Sequence, residues 1–278
     1  MVIGIDASRG NDLHRTGTEW YSFHLMNKLK SIIPSSDTVV LYSKEPLQED
    51  WAQLPPNWSS KVLSWKPGLL WTQVRLSWEM AWRKPDVLFV PAHTIPFIHP
   101  KTVLVAHDIG FEKEQQLYGS TQIGKKSFLG AVLGFVVRLI TFGRYGTSEL
   151  DYHRWAMRFG VKHACRIITI SNFSKQEMVG AYHLDPSRIQ VIWHALPDEY
   201  RTTHIQIEPP ATPVILYVGR IELKKNLGVV LEALNTLPVE QRPKVVFIGK
   251  DGLGADQIKR QVTQLHLESS VKFTGYLA

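Results

Sequence analysis

An α/β protein of two doubly wound, parallel-sheet domains, the second incomplete, is the fold that three features of the sequence predict. Short β-branched runs alternate with helix-period segments through the first half, a proline-rich break follows Leu196, and a shorter alternation resumes after it. The length agrees, because 278 residues exceed the usual size of one hydrophobic core. With 44% hydrophobic and 21% charged residues the composition is that of a globular protein, and no repeat of solenoid or propeller period is present.

Taken in order, VIGI from Val2 reads as a strand, and TEWYSFHLMNKLKSII from Thr18 as a helix with Tyr21, Leu25, Leu29 and Ile32 or Ile33 on its apolar stripe. TVVLY and KVLSW follow as strands, LLWTQVRLSWEMAW as one helix, and DVLFVP and TVLVAHD as strands. RIITI from Arg166 and RIQVIW from Arg188 are further strands. The helix between them is expected to start at Ser174, with Glu177 completing a capping box. LPDEYRTTHIQIEPPATP has four prolines and no periodicity, so the predicted division is 1–195, a linker at 196–213, and 214–278. The last part reads VILYVG, KKNLGVVLEALNTL, KVVFIG, GADQIKRQVTQL and VKFTG, strand and helix by turns. Leu227, Val230, Leu231 and Leu234 stripe its first helix and Ile258, Val262 and Leu265 its second. A complete doubly wound domain usually adds strands, and VKFTG is expected to be left as an exposed edge that invites dimerisation.

Several function classes are disfavoured. The single cysteine, Cys165, lies in the apolar run ACRIITI, reads as a small core residue and fits a reducing, cytoplasmic setting. MVIGIDASRG is too short in apolar residues for a signal peptide, and SFLGAVLGFVVRLITFG from Ser127 is short for a bilayer span and carries Arg138. With KKS ahead of it, this stretch is expected either to be a core helix with solvated lysines or to lie on a membrane surface through residues 125–144. The net charge of +7 favours anionic partners, yet no nucleic-acid recognition module is legible. No Asp-x-Asp, HExxH or GxSxG motif occurs, so no metal site is expected. GSTQIGKKS from Gly119 imitates a phosphate-binding loop but has Lys126 where that loop needs Ser or Thr, and no buried strand precedes it.

The stretch YVGRIELKKN is different. It places Gly219 to Lys225 in a loop after a parallel strand, with a helix expected to begin at Lys225 or Asn226. Such a helix start offers free amides and a partial positive charge. Arg220 can hold two phosphate oxygens in a fork, and Lys225 adds a point charge. A diphosphate suits this set.

VGRIELKKN resembles the V-G-R-x4-K-N/G signature of the retaining glycosyltransferases of GT-B fold, family 4, also called group 1. The likeness extends to GIDASRGNDLHRTGTEWY, PDVLFVPAHTIPF, VLVAHDIGFE, IITISNFSK and RIQVIW, in the family's order and over most of the chain. It implies two Rossmann-like domains, a GDP- or UDP-sugar donor held mainly by the second, an acceptor held by the first, and metal-independent transfer with retention. It assigns Arg220 and Lys225 to the donor diphosphate, and Gly17 with Thr18 to a glycine loop near the same phosphates. His107 falls to the transferring sugar, with Asp108 orienting its loop. Gly219 and Asn226 flank the cations, and Gly249, Gly275 and Tyr276 match donor contacts at later strand ends.

There are departures. Ala195 and Pro197 in HALP stand where members usually have glycine and aspartate. The family's E-x7-E motif, which holds the donor sugar and ribose, does not occur in a strand-to-helix context, so weak or no turnover is expected of these residues alone. The expected function is transfer of a sugar to a saccharide or lipid-linked acceptor in surface-polysaccharide synthesis, at the inner face of the cell membrane. A non-catalytic module binding a partner glycosyltransferase or a membrane, and a nucleotide-sugar epimerase of GT-B fold, are the alternatives.

Overall fold

The computed structural model describes residues 1–13, 15–66, 70–118, 148–197, 201 and 213–277. The near-match at Gly119 and the 125–144 stretch lie outside them, as does most of the expected linker. Two compact units result. The first holds residues 1–113 and those described between 148 and 201, the second 114–118 and 213–277.

The first unit is a parallel sheet of seven strands: β1 (Val2–Asp6), β2 (Thr38–Ser43), β3 (Trp58–Val62), β4 (Val87–Val90), β5 (Lys101–Val105), β6 (Arg166–Thr169) and β7 (Ile189–Val191). Their order is β3-β2-β1-β4-β5-β6-β7, so the chain reverses direction across the sheet between β1 and β4. In open α/β sheets, ligands bind at the carboxyl ends of the strands beside such a reversal. β3 starts earlier than KVLSW suggests, because Val39 pairs with Trp58 and Ser43, the end of β2, with Val62.

Helix α1 (Gly17–Ile32) buries Ser22, Phe23 and Met26 rather than the Tyr21–Leu25 stripe. The cause is the core it faces: Phe23 stacks on Trp51 at 5.6 Å, and Ile5, Val39, Leu41 and Trp58 complete the cluster. The expected long helix at LLWTQVRLSWEMAW is a wide turn, Thr72–Leu76, running into α2 (Ser77–Trp82). The Leu76 N–H donates to the Trp71 carbonyl, five residues back, which places both bulky side chains in buried positions. The Trp71 indole donates to the Leu63 carbonyl at 2.7 Å and anchors that start.

The short helix α3 (Gly110–Lys113) and α4 (Glu149–His163) follow. Helix α5 (Asn172–Tyr182) is capped by Ser171, not Ser174: the Ser171 hydroxyl accepts from the Ser174 N–H at 3.0 Å. Glu177 pairs with Lys113 instead of serving a cap. Cys165 is exposed, contrary to its expected place in the core, because it sits in the connection before β6 with its backbone bonded to Thr102.

In the second unit β8 (Val214–Val218), β9 (Lys244–Ile248) and β10 (Val271–Gly275) form a parallel sheet in the order β10-β9-β8. Helices α6 (Leu227–Asn235) and α7 (Ala255–Gln264) bury Leu227, Leu231, Leu234, Ile258 and Val262 against Val245, Phe247 and Val271, as their stripes predict. Exposure is not confined to the VKFTG edge. β8 forms the opposite edge, and its Leu216 and Val218 are 59% and 71% exposed.

Candidate functional site

The loops after β8, β9 and β10 run together in the second unit. Gly219 donates its N–H to the Ile248 carbonyl at 2.9 Å, and Gly249 donates to the Gly275 carbonyl at 2.9 Å. The approach at Gly249 excludes any side chain, since a Cβ there would lie 1.9 Å from the Gly219 carbonyl oxygen and its φ is +148°. Gly219, Gly249 and Gly275, assigned by resemblance alone, are thereby joined in one backbone arrangement.

Beyond Gly219 the chain makes a 3-10 turn, Leu223–Lys225, before α6 begins at Leu227, later than expected. Asn226 is the reason: it takes a left-handed conformation, φ 52° and ψ 38°, which breaks the helical path and restarts it. No side chain caps the first turn of α6. Arg220 and Lys225 are exposed, and Lys225 has no carboxylate partner among the described residues.

Glu222, which sequence reasoning missed, organises the cations. It is buried, with its carboxylate 3.2 Å from the Lys224 ammonium and 4.0 Å from the Arg220 Nε. Lys224 is therefore held by an ion pair rather than simply solvated. Its sequence signal was an acid set between cations in RIELKK. Lys250, also missed, stands 4.8 Å from the Tyr276 ring centroid. The loops thus present an arginine and three lysines, with a buried acid that fixes part of their geometry.

The first unit has its own cluster at the carboxyl edge of its sheet. Asp6 ends β1, and its carboxylate accepts the Ser8 N–H at 2.9 Å; burial raises its pKa above the ordinary value. At the start of α1, Glu19 accepts from the Thr16 N–H at 3.2 Å and takes a 3.4 Å contact from Arg9. This is the capping box that the sequence was expected to show at Ser174. The space beside Gly17 is open, with no heavy atom within 4 Å of a Cβ placed there, and Thr18 is half-buried next to it.

His107 lies just past β5 with Tyr21 at 4.8 Å and His194 at 5.4 Å, ring centre to ring centre. Burial, and then the neighbouring His194, lower its pKa to about 4, so the ring is neutral at physiological pH. Its Nε2 is buried with no partner among the described residues. Asp108 is exposed and accepts the Gly110 N–H at 3.0 Å, which ties down the turn into α3.

Tyr21 was read only as a stripe residue and His194, Asp6, Arg9 and Glu19 were not singled out; the partners of Tyr21 and His194 lie far apart along the chain, and the local bonds of the other three carry no motif. The same holds for His93 and His153, whose Nε2 and Nδ1 are 3.0 Å apart. Burial, with His153 adding to it, pushes the His93 pKa well below the ordinary value. Among the described residues no three acidic, histidine or cysteine side chains are grouped as a metal site.

Residues 201–278 match the family described as Glycosyl transferases group 1. The alpha-D-kanosaminyltransferase of Streptomyces kanamyceticus is 22% identical over 134 residues, 45% of this chain and 35% of that protein. The matched part of the chain thus spans about a third of that relative. Among solved structures, WaaG, a glycosyltransferase involved in lipopolysaccharide biosynthesis, superposes with a TM-score of 0.60 at 14% identity, over 100% of this chain and 70% of its own. HepE of Anabaena in complex with UDP-glucose gives a TM-score of 0.60 at 14% identity, over 100% and 69%. The chain has the GT-B fold of these structures, and its match to the group 1 glycosyltransferase family lies in residues 201–278.

Proposed function

We propose that the protein transfers a sugar, with retention of configuration and without a catalytic metal, from a nucleotide sugar to a saccharide or lipid-linked acceptor. The observation that carries this reading is the loop Gly219–Asn226. It closes a parallel strand, opens onto an uncapped helix and presents Arg220 and Lys225 to solvent. UDP is favoured over GDP as the leaving group, since HepE is seen with UDP and with UDP-glucose.

In this reaction the bond from the anomeric carbon to the terminal phosphate oxygen breaks, and its electron pair stays on the departing diphosphate. The acceptor hydroxyl oxygen bonds to the same carbon and passes its proton to the departing diphosphate oxygen. Arg220 and Lys225 stabilise the charge that accumulates on the diphosphate, and the α6 amides add to it. Gly17 leaves room for the phosphates at the start of α1. His107, whose Nε2 has no partner among the described residues, hydrogen-bonds the transferring sugar, and Asp108 holds the turn behind it. Gly249, Gly275 and Tyr276 serve the rest of the donor. The setting proposed is cytoplasmic, in surface-polysaccharide synthesis.

A thermal-shift screen of GDP, UDP and their sugars against the wild type and Arg220→Ala tests the reading. A uridine nucleotide should raise the melting temperature of the wild type and much less that of the variant. No shift with any nucleotide, or an equal shift in both proteins, overturns it.

A further inference from the structure

We infer that the first unit carries an anionic-membrane docking surface formed by helix α2 and the loop before β5, apart from the site at the carboxyl edge of the sheet. Val74, Trp78 and Trp82 recur every fourth residue along the wide turn and α2, which aligns them on one side. Trp78 and Trp82 are 65% and 74% exposed, with their rings 6.1 Å apart. Phe97 and Ile98 face them across an open groove of about 500 Å³. Phe97 in turn meets Trp155 and Phe159 of α4, each at 5.5 Å, so the aromatic surface continues onto a second helix.

Exposed indoles on this scale are not explained by the core, and large exposed apolar patches mark interaction sites. Charge selects the partner. Exposed Arg83 and Lys84 follow Trp82, exposed Lys101 follows Ile98 at the start of β5, and exposed Lys162 ends α4. The acids nearby are engaged within the fold: Asp86 accepts the Val2 N–H at 2.7 Å, and Glu79 is buried and paired with Lys61 and Arg75. Tryptophan with a cationic rim is the composition that settles at the headgroup level of an anionic bilayer.

The test is co-sedimentation of the 278-residue chain with vesicles of phosphatidylcholine alone and of phosphatidylcholine mixed with phosphatidylglycerol. The wild type should pellet with the mixed vesicles and be released by salt. Trp78→Ser/Trp82→Ser should need roughly tenfold more lipid for the same binding, since the apolar contribution scales with the area inserted. Arg83→Gln/Lys84→Gln should lose the preference for phosphatidylglycerol. An unchanged melting temperature is the check on folding. If the serine variant does not fold, the single Trp78→Phe and Trp82→Phe variants decide, through the loss of fluorescence quenching by brominated lipid chains. Three results overturn the inference: no vesicle binding by the wild type; binding unchanged in the tryptophan variants, including the case where Lys125→Gln/Lys126→Gln abolishes it; or lipid-free self-association that these variants break, which would make the surface a protein interface. Nucleotide binding is read separately, so failure here leaves the transferase reading standing.

Discussion

At the residue scale, charge and protonation make the sharpest statements. Each charge-assisted hydrogen bond from Arg220 to a diphosphate is worth about 1.5–3 kcal/mol, so Arg220→Ala should weaken UDP binding about ten- to a hundredfold by calorimetry. Glu222→Gln should have a different signature: it frees Lys224 and leaves Arg220 in place, so folding stability changes more than the nucleotide affinity. His107 ties stability to pH. Its folded pKa of about 4 lies below the ordinary 6.5, so between these values the unfolded chain binds the proton more tightly. Stability is full above pH 6.5 and falls as the pH drops towards 4, by up to about 3 kcal/mol from this residue. Melting temperatures measured from pH 7 to 5 should fall, and His107→Gln should flatten part of that slope. It should not flatten all of it, because His93 is displaced in the same direction. Arg220 and Lys225 could be picked out because they stand in the loop after a strand marked by a β-branched run, whereas His107 came from the family resemblance alone. His194, and the contact Tyr21 makes with it, were hidden because contacts between distant segments leave no local periodicity, whereas Glu222 stood in plain sight between its cations and was passed over.

At the scale of elements, strands were easier to read than helix faces. β5 and β9 are apolar on both sides of the sheet, so their continuous runs announce them. The stripe of α1 was right in part, since Leu29 and Ile33 pack against the core, but the deepest positions are Phe23 and Met26, with Trp51 filling the space beside Phe23. The wide turn before α2 was invisible because one extra residue per turn leaves composition unchanged. Caps were displaced rather than absent: Ser171 serves α5, and Ser171→Ala should cost about 1 kcal/mol in urea unfolding. Gly249→Ala should cost more, about 3 kcal/mol, because its methyl group meets backbone rather than a side chain that can move aside.

At the scale of the molecule, two sheets of unequal width were legible from the alternation alone, seven strands and then three. What the alternation did not disclose is that β8 lies at an edge with Leu216 and Val218 open to solvent. Self-association was expected at the VKFTG edge, and the β8 edge is an alternative to test against it. Leu216→Lys/Val218→Lys should lower the sedimentation-equilibrium mass of the 278-residue chain if β8 is where copies meet, and a lysine pair in β10 should not. The Gly219–Gly249 contact has a consequence for anyone who would redesign the specificity of this chain. The backbones of the two loops touch at this point, so a change in the course of residues 250–254 also displaces the segment that bears Arg220. If the proposed function holds, a library aimed at the donor has to vary both loops in the same clone.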